Sequence, residues 1–439
     1  MRILVVSNGF PPRGRWGTEF YTAQMVAGLR ERGHEVAVLH PDRSGSSPRY
    51  TVEEVKGEGD VDVFLLHNTG DPGKAFDDSY SNRQVDRVFG EVIERWQPEL
   101  VHFTYLLWGL SIGMPEVARA RGLSTVLTTT DYGLLCHRGQ MFDWHYRRCG
   151  GPHPAEVCAR CVREFSRDDA PPVERALRRA LVAGLAAMGG LGMVVTTADL
   201  EQRAARVAEA LAAVDHVILP TRVLGEAFAR SGVPADRMTD LVYGIDDRPY
   251  HAARTAPPAE PVVFGYLGQF TPHKGLDVLV EAVHILQHRL PESVEPWFVR
   301  LYGSAAGGRH TRYAPRVLGK LSPRMVTMKA FSPEQAPTVL AELHALIMPS
   351  LWDENAPLTC LQARAAGIPM LASDVRGISE VIEHGEHGLL FPPGDAAALA
   401  DAMREVILGR LGRHPNPSLP VGLDEHLDVL EGIYDRVAH

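Results

Sequence analysis

At 439 residues, with 45% hydrophobic and 23% charged residues, the chain is too long for one ordinary core and too apolar for a disordered or fibrous protein. Its 45 Lys and Arg against 54 Asp and Glu leave a formal charge of −9, which gives no general electrostatic reason to coat nucleic acid or anionic membrane and leaves room only for a local basic groove. The five cysteines are an odd set for a secreted disulfide framework, and the four between positions 136 and 161 suggest a metal cage in a reducing compartment.

The chain opens on an apolar run of strand length, Ile3 to Ser7, which meets polar residues and a Pro-Pro pair before a signal peptide could be completed; a cytoplasmic protein is expected. A Gly/Pro/Arg loop from Asn8 to Gly17 leads into a predicted helix, Thr18 to Arg32, with Tyr21, Met25, Val26 and Leu29 on its apolar face, Thr18 as cap and Gly33 as stop. Val36 to Leu39 then returns as a strand, so the first forty residues make a parallel crossover unit. Further strands are predicted at Leu100–Thr104, Thr125–Thr130 and Val214–Leu219, with helices around Arg83–Trp96, Ile112–Arg121 and Val223–Arg230. The uncharged stretch Ala180 to Ala198 is rich in Ala and Gly and reads as a packed helix or one resting on a membrane surface, so peripheral membrane contact is an expectation.

His251 to Pro261 has linker composition. A second alternation follows: strand Val262–Leu267, helix Leu276–His288, strands Trp297–Tyr302 and Ala345–Met348, helix Leu358–Ala366 and strand Met370–Ser373. The expected architecture is therefore α/β, two doubly wound, Rossmann-like domains facing a cleft. Residues 1–250 form the first domain, with a Cys-rich insertion at 136–161; residues 260–420 form the second, and a terminal helix covers 423–439. Ligands of such sheets sit beyond the carboxyl ends of the strands, so the loops there are where chemistry is sought.

Two of those loops stand out. Gly268-Gln269-Phe270-Thr271-Pro272-His273-Lys274-Gly275 joins a strand end to a helix start, where backbone N–H groups and a Lys can hold phosphate, although no P-loop is present. Pro349 to Pro357 precedes a helix opened by Pro357 at its first position and closed by Gly367, with Glu354 just before its N-terminus and Gln362 a turn and a half inside. Lys274 and Glu354 are thus expected at opposite ends of one elongated ligand. Cys136-x12-Cys149-x8-Cys158-x2-Cys161 has the spacing of a closed four-sulfur site, a structural zinc first and an iron–sulfur cluster second, with reduced or disulfide-bonded cysteines as the remaining option.

The run Pro349 to Pro369, with Ser373 to Ile382 and Gly385 to Gly394 after it, resembles the signature of retaining nucleotide-sugar glycosyltransferases of family four, which have the GT-B fold. Pro11-Pro12, Gly17-Thr18-Glu19, Gly33-His34-Glu35-Val36, Gly244-Ile245-Asp246, and Gly268 with Lys274-Gly275 extend that resemblance over nearly the whole chain. It implies transfer of a sugar from a nucleoside-diphosphate sugar to an acceptor hydroxyl of a small molecule or saccharide, in natural-product, polysaccharide or glycolipid biosynthesis, with no catalytic divalent metal and no nucleic-acid partner.

The site residues implied by the resemblance are Lys274, Glu354 and Asp131 for catalysis. The donor would be held by Gly17, Gly268, Gln269, Lys274, Gly303, Phe331, Glu354, Asn355, Ala356, Pro357, Leu358 and Gln362, and the acceptor would meet Trp16, His102, Thr130 and Asp131. Some members carry a similar cysteine insertion. Three positions depart from the family pattern: Gln362 replaces a ribose-binding Glu, Gln269 a diphosphate-binding Arg, and Thr130 a His. Two alternatives stand beside transfer: a sugar phosphorylase or epimerase on the same fold, and a non-catalytic binding or scaffold subunit.

Overall fold

The computed structural model describes residues 1–14, 16–69, 76–165, 177, 180–185, 194–255, 261–291, 296–303, 312–322, 326–329, 333–414 and 418–438. The chain divides into two compact units. One comprises Met1–Met141, Gly150–Gly244 and Leu423–His439, the other Phe142–Cys149 and Ile245–Gly422.

In the N-terminal unit, strands β1 (Arg2–Val6), β2 (Glu35–Asp42), β3 (Val52–Lys56), β4 (Asp62–His67), β5 (Leu100–Phe103), β6 (Ser124–Thr128), β7 (His216–Leu219) and β8 (Met238–Asp240) form one sheet in the order β3-β4-β2-β1-β5-β6-β7-β8. Strand β1 lies at its centre, with Val5 opposite Val38 of β2 on one side and His102 of β5 on the other. A strand covered on both faces has no polar side to present, which is why Ile3 to Val6 read as an unbroken apolar run. The one antiparallel pair among the described strands is β3 with β4.

The first helix runs Gly17–Glu31, one residue earlier than expected. Trp16, not Thr18, is its N-cap and makes no side-chain cap bond. Thr18 lies in the first turn, where its carbonyl accepts the Thr22 hydroxyl at 2.9 Å. The stop is as expected, with Gly33 at φ +90°. Helix Leu423–Ala438 belongs to this unit and packs on the first helix through Leu427, whose Cδ1 would lie 2.4 Å from a Cβ at position 28; glycine there is what lets the two helices meet. Arg32 fixes the contact with Asp424, Asp428 and Glu431 at 3.3, 2.6 and 2.7 Å.

The C-terminal unit carries β9 (Val262–Leu267), β10 (Trp297–Tyr302), β11 (Val326–Lys329), β12 (Ala345–Met348), β13 (Met370–Ser373) and β14 (Gly388–Phe391) in a sheet ordered β11-β10-β9-β12-β13-β14, with every pair parallel. This is the doubly wound order of dinucleotide-binding folds. Its core joins Phe264 and Leu301 of the sheet to Leu279, Val283 and Met403 of the covering helices, and each such side chain contributes about 1.5 to 3 kcal/mol by leaving water. The expected linker is partly structured, since His251–Thr255 form a short helix whose Arg254 donates to the Ala365 carbonyl at 2.7 Å. Residues 256–260 lie outside the described chain. Among the described residues no helix is long and apolar enough to cross a membrane; residues 186–193 of the Ala180–Ala198 stretch lie outside them.

Candidate active site

Strands β9 and β12 are neighbours from which the chain winds outward in opposite directions, so the crevice at their carboxyl ends is the natural binding place of the C-terminal unit. The loop after β9 brings Lys274 there and the loop after β12 brings Glu354. The two loops touch through Gly275, whose φ is +69° and whose Cβ would lie 1.8 Å from the Pro349 carbonyl oxygen, so only glycine fits.

Lys274 and Glu354 do not stand at opposite ends of a ligand space. They form a direct ion pair, with Lys274 Nζ 2.8 Å from Oε1 and 2.9 Å from Oε2 of Glu354. Glu354 is buried at 3% exposure, and the Ser350 hydroxyl donates to its Oε1 at 2.5 Å. The ammonium also lies 5.1 Å from the Trp352 ring, and His273 packs edge-on against that ring at 5.1 Å. A carboxylate removed from water requires such partners, and they were close by in sequence: Ser350 precedes Glu354 by four residues and His273 adjoins Lys274. An ammonium has three N–H donors, so the pair leaves Lys274 able to donate to a further anion.

The Glu354 loop is braced from behind. Its backbone N–H donates to the Arg376 carbonyl at 3.0 Å, while the Arg376 N–H donates to Asp353 Oδ1 at 3.2 Å. Gly377 sits at φ +80°, where a Cβ would lie 1.8 Å from the Glu354 carbonyl oxygen. Ala356 is fully buried at φ +43°, a strained conformation for a residue with a Cβ, and Pro357 follows it as the cap of helix Leu358–Ala365 rather than as the first helical residue expected. Strain of this kind persists where the surroundings over-determine a loop, and this loop carries Glu354, Asn355, Ala356, Pro357 and Leu358 together.

Gln362 is buried at 3% exposure, and its side chain lies near the Tyr250 phenol, a neighbour that sequence patterns did not single out. Gly303 lies so near the β9 loop that a Cβ would come within 2.0 Å of the Gly268 carbonyl oxygen. Gln269 is half-buried, with its carbonyl accepting the Tyr266 hydroxyl at 2.9 Å. Phe331 lies outside the described residues. Cys360 is a packed core thiol 3.3 Å from Met348 Sδ, and burial pushes its pKa up.

In the N-terminal unit, Trp16 and Gly17 are exposed at the start of the first helix. The Thr130 hydroxyl donates to the Thr104 carbonyl at 2.8 Å, tying the loop after β6 to the end of β5. Asp131 accepts the Gly133 N–H on Oδ1 at 2.7 Å; burial outweighs that bond and the nearby Arg203 and pushes its carboxyl up to about 6. Both residues line a small pocket with Tyr105, Leu107 and Phe228. His102 does not join them. It is fully buried, with Nδ1 2.5 Å from the Tyr434 hydroxyl and Nε2 2.8 Å from the Thr128 hydroxyl, and burial drives its pKa down to about 3. Its role is to fasten the terminal helix to β5 and β6, which corrects its assignment to the acceptor.

Three of the four clustered cysteines, Cys136, Cys158 and Cys161, fall in the N-terminal unit. Burial raises the Cys158 thiol, which also feels Cys136 and Cys161, and the Arg138 guanidinium donates to Cys161 Sγ at 3.4 Å. Cys149 falls in the 142–149 segment that groups with the C-terminal unit. Among the described residues, the sulfurs of Cys136, Cys158 and Cys161 do not all three lie within 4.8 Å of one another.

Two doubly wound units, one with an acid–lysine pair at its topological switch point, define a two-domain α/β protein of the GT-B fold. Residues 17–244, just over half the chain, match the family described as glycosyl transferase 4-like domain, and residues 247–416 match glycosyl transferases group 1. The chain belongs to these glycosyltransferases. Among curated relatives it is similar to the amylovoran biosynthesis glycosyltransferase AmsK of Erwinia amylovora, 29% identical over 52% of this chain and 55% of that one. It is also similar to a D-inositol 3-phosphate glycosyltransferase of Streptomyces avermitilis, 30% identical over 43% of this chain and 41% of the relative. The matches therefore span at most about half the length of these relatives. Among solved structures, sucrose-phosphate synthase from Thermosynechococcus elongatus aligns over 100% of this chain and 96% of its own, at TM-score 0.64 and 17% identity. Anabaena HepE in complex with UDP and glucose aligns over 99% of both chains, at TM-score 0.62 and 15% identity.

Proposed function

We propose that this glycosyltransferase moves a sugar from a nucleoside-diphosphate sugar to an acceptor hydroxyl with retention of anomeric configuration. The observation that carries the reading is the Lys274–Glu354–Ser350 constellation at the switch point of the C-terminal unit, in a chain of this family. Lys274 would meet the diphosphate as charge grows on the departing oxygen, Glu354 would orient the sugar, and Gln362 with Tyr250 would face the ribose. In a front-face displacement the bond between the anomeric carbon and the β-phosphate oxygen breaks, the bond to the acceptor oxygen forms on the same face, and the acceptor proton passes to a donor phosphate oxygen. No protein base is required on that route, so Thr130 is compatible with turnover. The N-terminal unit would bind the acceptor through Thr130 and Asp131.

Gln269 supplies no cation for the diphosphate, and Lys274 alone would carry that charge. The relatives' names, an amylovoran biosynthesis glycosyltransferase and a D-inositol 3-phosphate glycosyltransferase, favour a saccharide or polyol acceptor in a biosynthetic pathway, with UDP as the first nucleotide to try, since HepE was solved with it. A structural zinc on Cys136, Cys149, Cys158 and Cys161 remains part of the proposal, as does work in the cytoplasm with peripheral membrane contact.

The test is proton NMR of the product formed from an α-linked nucleotide sugar and a saccharide acceptor. An α-glycoside is expected. A β-glycoside would overturn retention, and phosphate-dependent cleavage would favour the phosphorylase alternative.

A further inference from the structure

Trp108 is the anomaly of the N-terminal unit. It follows β5, beside the point where the strand order of this sheet reverses, and its indole is 47% exposed. Its backbone is held at φ +49°, a region that a bulky residue enters only when its surroundings impose it. Those surroundings are visible. The Trp108 carbonyl accepts Arg43 Nε at 2.6 Å, its N–H donates to the Ser79 carbonyl at 3.3 Å, and the carbonyl of Gly109, itself at φ +105°, accepts Asn68 Nδ2 at 3.0 Å. Arg43 is fixed in turn by Asn8 Oδ1 at 2.6 Å. The fold thus spends three hydrogen bonds on presenting an indole that the core does not use. The His137 ring stands 5.6 Å away and continues to Phe76 at 4.4 Å, so the indole is the outer plate of an aromatic row.

The neighbouring surface is concave, a largely apolar pocket edged by hydroxyl and carboxyl groups. Tyr105, Leu106 and Leu107, immediately before Trp108, line the small pocket that Thr130 and Asp131 complete. Among the described residues the Tyr105 hydroxyl has no hydrogen-bond partner, while burial and the Asp131 carboxylate keep it protonated. An exposed aromatic plate one residue along the chain from a pocket that carries a phenol, a hydroxyl and a carboxyl matches a ring that is apolar on its C–H face and hydroxylated at its edge. A pyranose has that shape, and its polarised C–H bonds are attracted to the negative face of an indole. A lipid acceptor would ask for a broad apolar patch, whereas one plate with polar groups at its rim suits a sugar.

We infer that Trp108 is a specificity-determining residue that stacks on a pyranose ring of the acceptor, with Tyr105 and Asp131 receiving the hydroxyl edge of that ring. This rests on the transferase reading above, which it deepens by naming the acceptor as a pyranoside. The test titrates the full-length protein with methyl α- and β-D-glucopyranoside, galactopyranoside and mannopyranoside, with the open-chain polyol sorbitol alongside, by saturation-transfer difference NMR. Wild type is expected to bind at least one pyranoside and to prefer it to sorbitol. Trp108→Ala is expected to weaken that binding by about tenfold or more, and Trp108→Phe to retain most of it. Unaltered UDP-induced thermal stabilisation of the variants confirms that they are folded. A wild type that binds no pyranoside, or a Trp108→Ala protein that binds them undiminished, overturns the inference. Pyranoside binding without any donor turnover would leave it standing and sink the transferase reading instead.

Discussion

Replacing Lys274 by Ala would test the site through stability before any substrate is known. From sequence, Lys274 reads as a phosphate-holding cation beside a helix start, with no partner of its own in view. In the structure its side chain is 24% exposed and neutralises Glu354, whose side chain is 4% exposed. Removing one partner of a fully buried pair costs about 3 to 5 kcal/mol, because a charge is left without its counterion. Lys274 keeps some water contact and Ser350 still donates to Glu354, so a smaller cost of about 1 to 3 kcal/mol is expected here. For a unit of this size that lowers the melting temperature by roughly 4 to 8 °C at the middle of the range. The assay is a double-mutant cycle by calorimetry on the full chain, following the transition of the C-terminal unit through Lys274→Ala, Glu354→Gln and the double variant. Once Glu354 is an amide it no longer needs the ammonium, so the double variant should be more stable than the sum of the single effects by about 1 kcal/mol or more. Additive effects, or a Lys274→Ala protein as stable as wild type, would refute the argument that the pair is a coupled buried unit.

Gly377→Ala should damage the same site from behind, because its Cβ would displace the Glu354 carbonyl; a loss of about 1 to 3 kcal/mol together with a fall in donor turnover is expected, and unchanged kinetics would show that the loop has slack. The buried histidines predict acid sensitivity. His102 and His426 have folded-state pKa values lowered from 6.5 to about 3 and about 4, so the unfolded chain binds protons that the folded one refuses, and stability falls as pH drops below 6.5. Between pH 6.5 and 4.5 the loss is about 2 to 5 kcal/mol, readable as a shift of the urea midpoint. Asp131 works in the opposite sense: its pKa is raised from 3.8 to about 6, so its neutral form favours folding at low pH and that contribution is lost as pH rises through 6. Asp131→Asn should therefore enlarge the acid loss; an unchanged pH profile would mean that Asp131 titrates normally. For the cysteines, metal analysis of purified protein should find about one zinc per chain, with none after Cys158→Ser and Cys161→Ser, and a metal-free wild type would remove the cage from the account.

The central parallel strands were the most legible features, since a strand buried on both faces has to be an unbroken apolar run, as in Ile3–Val6 and Val263–Leu267. Strand β3 escaped detection because Val-Glu-Glu-Val-Lys is an exposed edge strand, where charges are acceptable and even protective. Helix starts were misread by a residue at Thr18 and Pro357 because capping is decided by local geometry that residue preferences only bias. In the candidate site, Lys274 and Glu354 were legible as charges beside helix starts, but their contact was not. Eighty residues separate them, and only the adjacency of β9 and β12 brings their loops together. His102 misled for a related reason. A strand-end histidine looks the same in sequence whether it faces a ligand or, as here, a tyrosine from the far end of the chain.

The central claim is that the β9 and β12 loops hold a nucleoside-diphosphate sugar. The most direct measurement is release of nucleoside diphosphate from a panel of UDP-, GDP-, ADP- and TDP-sugars by wild type and Glu354→Ala, with and without pyranoside acceptors. Release from at least one donor, accelerated by an acceptor and abolished in Glu354→Ala, is predicted. Silence across the whole panel, or undiminished release by the Glu354→Ala protein, would contradict it.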